Sequence, residues 1–576
     1  MKLTLNITIL ALITWSQASA ASPKIARDLQ DYDPSSMVDV IIQYKIAPTE
    51  KHHQKVRSRG GSRKANLGAV KGALYSLPAA SIDQLAEDPD VEYISPDRPL
   101  RGLLDYANSA IGADIARQYG WDGTGVGVAV IDSGIADHWD LRTGSDNAKS
   151  EKVGPTRIVY SETFLPANGG KKSVSDEYGH GTHVAGILAG NGWSSEGKWY
   201  NRTFRGVAPR ANLINLRVLD QAGNGLDSYV IAAIQRAIEL RSTYNIRVIN
   251  LSLGRPVMDS YQKDPLCQAM EAAWRAGIVV VVAAGNEGRN NTGGVNGYGT
   301  IMAPGNDPYV ITVGAMKTMK TPARADDLIA SYSSKGPTAV DHIAKPDVVA
   351  PGNQIVSLLM NNNNWITDLY PQNVVPYSYY EINSGSTLSY TYLWLSGTSM
   401  ATPMVSGAAA LMIQKDPSLT PDTVKARLMK TASKNFPASS VATDPATGQT
   451  FTSQYDLFTV GAGYLDVWAA LNNSDVASGS AMSPTAVFDA SSGNVYVVNT
   501  VGGSTAIWGT TAIWGTTAIW GTSVFVNGSN ALWGSTAIWG TSSLAGFNAL
   551  WGSTAIWGTS TTLSSESVSL LINGEK

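Results

Sequence analysis

Cysteine is almost missing from this chain. Cys267 is the only one in 576 residues, so no internal disulfide is available and packing and hydrogen bonds have to hold the fold. Its neighbours are helix-like, and a buried, inert thiol is expected. Surplus charge is missing too. Lys and Arg number 43 against 46 Asp and Glu, a formal net charge of -3. That leaves no electrostatic grounds for nucleic acid or an anionic membrane surface as partner. Beyond the first 20 residues no apolar run approaches the ~18 residues of a membrane-spanning helix. Histidine is scarce, at six residues. Apolar surface is ordinary: 43% of residues are hydrophobic, the share of a soluble globular protein, in a chain long enough for three or four domains.

The scarce histidines cluster. Gly179-His180-Gly181-Thr182-His183-Val184-Ala185-Gly186 holds two of them, among small residues that permit close packing and ahead of a stretch suited to a helix. Upstream, Val128-Ala129-Val130-Ile131-Asp132-Ser133-Gly134 reads as a strand buried on both faces. Its acid lies at the C-terminal end, where open α/β sheets place their sites. Downstream, Gly397-Thr398-Ser399-Met400-Ala401-Thr402-Pro403 puts a serine where a buried helix rich in Ala, Met, Val and Leu begins. Helix N-termini favour negative charge. Singly, each residue has an ordinary reading: Asp132 as a turn or cap residue, Ser399 as a helix cap. Together they supply what an alcohol nucleophile needs. His180 offers a base near neutral pKa, and Asp132 an acid to fix its tautomer and stabilise its cation.

In the order Asp132, His180, Ser399 these motifs resemble the subtilisin family of serine peptidases, for which that order is known. The likeness runs from about Trp121 to about Ala470. Val281-Val282-Ala283-Ala284-Gly285-Asn286-Glu287-Gly288 resembles the family segment that supplies the oxyanion-hole asparagine. The resemblance thus implies an oxyanion hole of Asn286 and the Ser399 backbone N–H. Val248 to Gly254 resembles the strand lining the pocket for the residue before the cleaved bond. It implies Ser252, Leu253 and Gly254 as substrate-binding residues, with Gly285 beside them. Leu216 to Leu219, followed by Gly223, Asn224 and Gly225, resembles the edge that pairs with an extended substrate. By the same match His180 is the base, and His183 packs behind it.

The implied activity is a serine endopeptidase cutting proteins or peptides through an acyl-enzyme. Its specificity would be broad, with apolar or aromatic residues preferred before the cut. A specialised processing or matrix-degrading peptidase is the alternative, and an inactive surface-binding protein a second. The chemistry requires no cofactor. Asp140-Leu141 resembles a calcium-ligating aspartate of some family members, but no companion loop is recognisable between Ala189 and Arg205, so structural calcium stays open.

The expected fold is α/β. A subtilisin-like parallel sheet is flanked by helices, because buried strands near Val126–Ile131, Leu213–Val218, Val248–Leu253, Ile278–Ala283 and Tyr309–Val313 alternate with helix-like stretches. A helix over Asp422–Thr431 has Thr420 as cap and Pro421 at its first position. Residues 1–20 read as a secretory signal: Lys2, the apolar Ile7–Trp15, then Ala18-Ser19-Ala20. Residues 21–103 read as a small α+β domain resembling the family's inhibitory propeptide, an intramolecular partner of the catalytic domain at 104–473. The expected location is secreted and extracellular, of bacterial origin, with cell-surface association open.

Two stretches depart from the family. About 30 extra residues, roughly Ser357 to Trp394, carry Trp365, Tyr370, Tyr377, Tyr379, Tyr380, Tyr390 and Tyr392 and are expected to wall part of the cleft. Residues 474–576 form a Ser/Thr/Gly-rich region, β-rich or partly disordered. Seven of the 16 Trp lie in its AIWGTT-type repeats at 504–559. With six residues per repeat an extended chain puts every Trp on one face. Contact with a cell surface or polysaccharide, a structural cap and a weakly ordered tail are the competing readings.

Overall fold

Four strands of this fold are buried along nearly their whole length, and their composition explains it. Val279–Ala283 is Val-Val-Val-Val-Ala, and Gly127–Asp132, Ile246–Leu251 and Ile311–Lys317 are of similar character. Continuous apolar strands need cover on both faces, which a parallel sheet with crossover helices provides. The computed structural model describes residues 22–26, 29, 33–96, 106–144, 154–167, 173–289, 297–360, 364–382, 384, 387–443, 449–489, 494–498, 524–525, 571–572 and 574–575. The expected signal and, apart from 524–525, the Trp-repeat stretch lie outside the described residues.

The chain divides into two units, residues 1–101 and 102–576. In the first, four antiparallel strands lie in the order Ser62–Leu67, Gly72–Pro78, Met37–Tyr44, Val91–Pro96. Helices Glu50–Arg57 and Ile82–Ala86 add Val56, Ile82 and Leu85 to a core of Val38, Val40, Ile42, Tyr75 and Leu77. The basic, polar sequence from Lys51 to Arg63 suits an exposed helix or loop, and the Ser62–Leu67 strand begins at its end. Its side chains are mostly exposed because it is an edge strand, so it lacks the apolar alternation that marks the others.

The second unit is built on an eight-stranded sheet. Its order is Leu328–Ile329, Ile311–Lys317, Val279–Ala283, Ile246–Leu251, Gly127–Asp132, Asn212–Arg217, Ile158–Thr163, with Val348–Pro351 also paired to Ile311–Lys317. Every pairing is parallel except that of the two-residue Leu328–Ile329. The fold is therefore the α/β class. Gly127–Asp132 comes first in sequence among these strands and lies inside the sheet. Later strands are added on both its sides, and the point where strand order reverses is where such sheets open a crevice.

The helices obey their sequence. Pro265–Arg275 is capped by Asp264, whose side chain accepts from the Leu266 N–H. Pro421–Thr431 begins with Thr420 as cap and Pro at its first position, as read. Thr398–Lys415 is buried on nearly every side, which suits its apolar composition. Beyond these, residues 388–395 form a strand paired with Ile355–Leu358 and Val374–Pro376, so the aromatic insertion is a three-stranded sheet of its own. Cys267 is fully buried, and burial pushes its thiol pKa far up.

Candidate active site

The sheet brings the expected site residues to one edge. Ile131 pairs with Leu251, so Asp132 and Ser252 leave neighbouring strands side by side. Asp132 is fully buried, and its Oδ1 accepts from the Ser133 N–H at 2.7 Å and faces His180 Nδ1 at 2.8 Å. His180 is the first residue of the helix His180–Ala189. Burial opposes its protonation, but the charge and hydrogen bond of Asp132, helped by Asp176, win, and its pKa stands above the ordinary value.

A second carboxylate, unmarked in the sequence, ties these two elements together. Asp176 is buried and accepts from the N–H groups of Gly179 (2.7 Å) and Thr182 (2.8 Å) and from the Ser133 hydroxyl (2.8 Å). The Ser133 hydroxyl in turn accepts from the Gly181 N–H at 2.9 Å. Burial raises the pKa of Asp176 despite these donors. Its only sequence signal is position, four residues before His180 in a polar loop.

His183 lies one turn further along. It is buried, its Nε2 faces the carbonyls of Ile355 and Leu393 at 3.1 and 3.2 Å, and burial drives its pKa down to about 3. It is a neutral packing residue that fastens the His180 helix to the insertion.

Ser399 sits in the first turn of Thr398–Lys415, where backbone N–H groups have no intrahelical acceptor. Pro403 explains a detail there. A proline has no N–H, so the carbonyl four residues earlier, that of Ser399, loses its helical donor. Ser252 supplies one: its hydroxyl donates to the Ser399 carbonyl at 2.8 Å. The Ser399 hydroxyl donates to the Ser252 carbonyl at 3.1 Å, and no hydrogen bond joins Ser399 to His180 in this state. Catalytic hydrogen bonds are often unformed without substrate.

Asn286 follows the Val279–Ala283 strand. Its Oδ1 accepts from the N–H (2.9 Å) and hydroxyl (3.1 Å) of Thr398, and the Gly285 N–H donates to the same hydroxyl at 3.1 Å. With the oxygen held this way, the amide nitrogen is left to face the Ser399 turn. A Cβ on Gly397 would lie 3.2 Å from that nitrogen, and Gly397 has φ near +150°, so glycine is needed there.

The remaining expected residues line the flanks. Ser252, Leu253 and Gly254 run past Met302, and a methyl added at Gly254 or Gly285 would come within 3.1 or 2.7 Å of the Met302 side chain. Met302 thus packs between the two segments, a residue the sequence did not single out. Gly223 backs onto the Tyr178 ring, with Asn224 and Gly225 exposed after it. Tyr178 stands 6.1 Å from the His180 ring and 5.5 Å from Trp365, centroid to centroid. Only one end of the aromatic insertion reaches this side. Tyr379, Tyr380 and Tyr392 pack on Phe204 instead.

At Asp140 the residues do not fit a calcium ion. Oδ2 accepts from the Tyr392 hydroxyl at 2.8 Å, and Oδ1 from the Ser194 N–H at 2.8 Å. That hydroxyl also meets the Ser195 hydroxyl at 2.9 Å. The insertion's phenol and a backbone N–H thus occupy both carboxylate oxygens. Among the described residues no group of three or more His, Cys, Asp or Glu could hold a metal.

An imidazole paired with a buried carboxylate, a helix-start serine bonded to the neighbouring strand and a restrained amide are parts that a serine-class peptidase uses. The chain belongs to the subtilase family, whose profile matches residues 123–463, and it is a serine-type endopeptidase. It is 37% identical over 355 residues to Serine protease AprX of Bacillus subtilis, covering 60% of this chain and 71% of that one. Subtilisin E of the same species is 33% identical over 383 residues, 66% of this chain and 79% of that one. An alkaline protease of Alkalihalobacillus alcalophilus is 32% identical over 361 residues, 62% of this chain and 72% of that one.

Proposed function

We propose that Asp132, His180 and Ser399 are the triad of this endopeptidase. The 2.8 Å pairing of His180 Nδ1 with the buried Asp132 carries the reading, because it fixes the tautomer that leaves Nε2 as the base. On substrate binding the Ser399 hydroxyl turns from the Ser252 carbonyl to His180. Its oxygen bonds to the scissile carbonyl carbon while His180 takes its proton. The carbonyl oxygen, now negative, is held by the Asn286 amide and the Ser399 N–H. The C–N bond breaks as His180 returns the proton to the leaving amine. Water, deprotonated by His180, then frees the acyl group and restores Ser399.

The substrate lies extended, its residue before the cut between Ser252–Gly254 and Gly285 with Met302 beneath, and its backbone along Gly223–Gly225. An apolar floor suits an apolar or aromatic residue, with the rest of the sequence loosely selected. Residues 21–103 serve as the intramolecular inhibitor and residues 1–20 as an export signal. Ser399→Ala tests the whole scheme. The variant should lose peptide hydrolysis and fluorophosphonate labelling, and keep a full-length chain where the parent cuts itself between about residues 96 and 108. Retained hydrolysis in a pure preparation refutes the triad.

A further inference from the structure

Residues 571–572 and 574–575, far from the triad in sequence, lie against the strands that carry the nucleophile turn. We propose that this segment is a brace that positions Ser399, seated in a carboxylate-binding cradle. The inference rests on Ser399 being the nucleophile.

The cradle is specific. Glu575 is 2% exposed. Its Oε1 accepts from Arg289 at 2.6 Å, from the Ser331 N–H at 2.9 Å and from the Ser331 hydroxyl, and Lys317 stands 3.7 Å from Oε2. A buried carboxylate placed between two cations with a backbone donor is a recognition feature, since burial without such partners is costly. Arg289 and Lys317 are themselves buried. The rest of the segment is read through its backbone. Asn353 donates to the Glu575 carbonyl and accepts from the Glu575 N–H, both at 2.8 Å. Asn373 donates to the Ile572 carbonyl at 2.5 Å. Gly574 has φ +59°, and a Cβ there would lie 2.3 Å from the Ser396 hydroxyl oxygen, so no other residue fits.

The contacts converge on the turn. The Ser396 N–H donates to the Leu571 carbonyl at 2.8 Å. Ser396 precedes Gly397, whose N–H donates to the Gly352 carbonyl at 2.8 Å, and Asn353 follows Gly352. The segment therefore grips both chains that frame the Gly397–Ser399 corner, one at Ser396 and one at Asn353. It completes the corner from outside, touching neither Ser399 nor Asn286. A shift of about 1 Å in a reacting group costs on the order of 10²-fold in rate, so a brace at this distance acts on turnover rather than on substrate affinity.

Three proteins test this: the full-chain parent, the same chain shortened by residues 571–576, and full-chain Gly574→Val. Turnover on a peptide ester is measured per fluorophosphonate-titratable serine, alongside KM and thermal melting. The shortened chain should keep its titratable serines and its KM within about twofold while kcat drops by at least tenfold. A synthetic peptide of residues 570–576 added in trans should restore kcat, and the same peptide with Gln for Glu575 should not. Gly574→Val should reproduce the kcat loss within an intact chain. Unchanged kcat in both variants overturns the brace, as does a loss tracking only the unfolded fraction that no peptide repairs. If the shortened chain fails to fold, Gly574→Val alone decides on the same criterion. Ser399→Ala, run in parallel, separates this outcome from a mistaken nucleophile: it must be dead whatever the brace variants do.

Discussion

Thr398→Val removes one buried hydroxyl and changes little else. That hydroxyl donates to Asn286 Oδ1 and accepts from the Gly285 N–H, each at 3.1 Å, in a fully buried side chain. Valine is similar in shape and equally β-branched. The Gly285 N–H then loses its acceptor, which costs about 1–3 kcal/mol of stability. Asn286 keeps one restraint, the 2.9 Å bond from the Thr398 N–H to its oxygen, so its amide is loosened and not released. Complete loss of such a donor in subtilisin lowers kcat about 10²–10³-fold. Partial loosening should cost roughly tenfold, or about 1.4 kcal/mol. KM should stay level, because the donor acts on charge that exists only in the transition state. The assay is kcat and KM on a peptide anilide, normalised to titrated serine, for Thr398→Val, Asn286→Ala and the double variant. Since Thr398 acts through Asn286, adding Thr398→Val to Asn286→Ala should cost less than about twofold. Losses that multiply in the double variant, or a change confined to KM, would refute the reasoning.

Activity needs neutral His180, whose pKa is raised by Asp132 against the pull of burial, so kcat/KM should rise with pH through a limb above about 6.5. Asp132→Asn should move that limb to lower pH and cut kcat by about 10⁴-fold, the drop known for such a change in a serine peptidase of another fold. The same raised pKa contributes stability below the unfolded value and loses it as pH rises through the folded value. His183 has the opposite sign: with a pKa near 3, it withdraws stability as pH falls below about 6.5. His183→Gln should therefore flatten the acid side of a Tm-against-pH curve. Met302→Ala should deepen the pocket and raise kcat/KM for Trp over Ala before the cut by about tenfold in a peptide series. Tyr392→Phe should lower stability by about 1.5–3 kcal/mol through the lost bond to a carboxylate, while the parent's melting point stays the same with and without EDTA.

What was legible followed from how strongly each residue's physics is local. The strands at 127–132, 246–251 and 279–283 are apolar throughout, so burial could be read directly, and the Asp132 position at a strand end followed. Thr420 with Pro421 announced a helix start that the fold keeps. Ser62–Leu67 and Ile158–Thr163 were not read because they carry polar or exposed side chains, and pairing with neighbours distant in sequence makes them strands. Asp176 and Thr398 act through hydrogen bonds to backbone groups that only the folded chain brings near. Met302 packs against both Gly254 and Gly285 because the absence of a side chain there leaves room for it. Residues 571–575 have no motif at all. Their single hint is an apolar return, Leu570-Leu571-Ile572, after a repeat stretch, followed by Asn, Gly and Glu.

The pairing of Tyr392 with Asp140 carries a consequence for how this one tie is supplied. A brace made from a phenol belongs to the polypeptide. It cannot be leached away by dilution, captured by a competing chelator or starved by soft water, and it arrives in fixed stoichiometry with every copy synthesised. At this point the chain around residue 140 is fastened to the aromatic insertion by a bond the gene encodes.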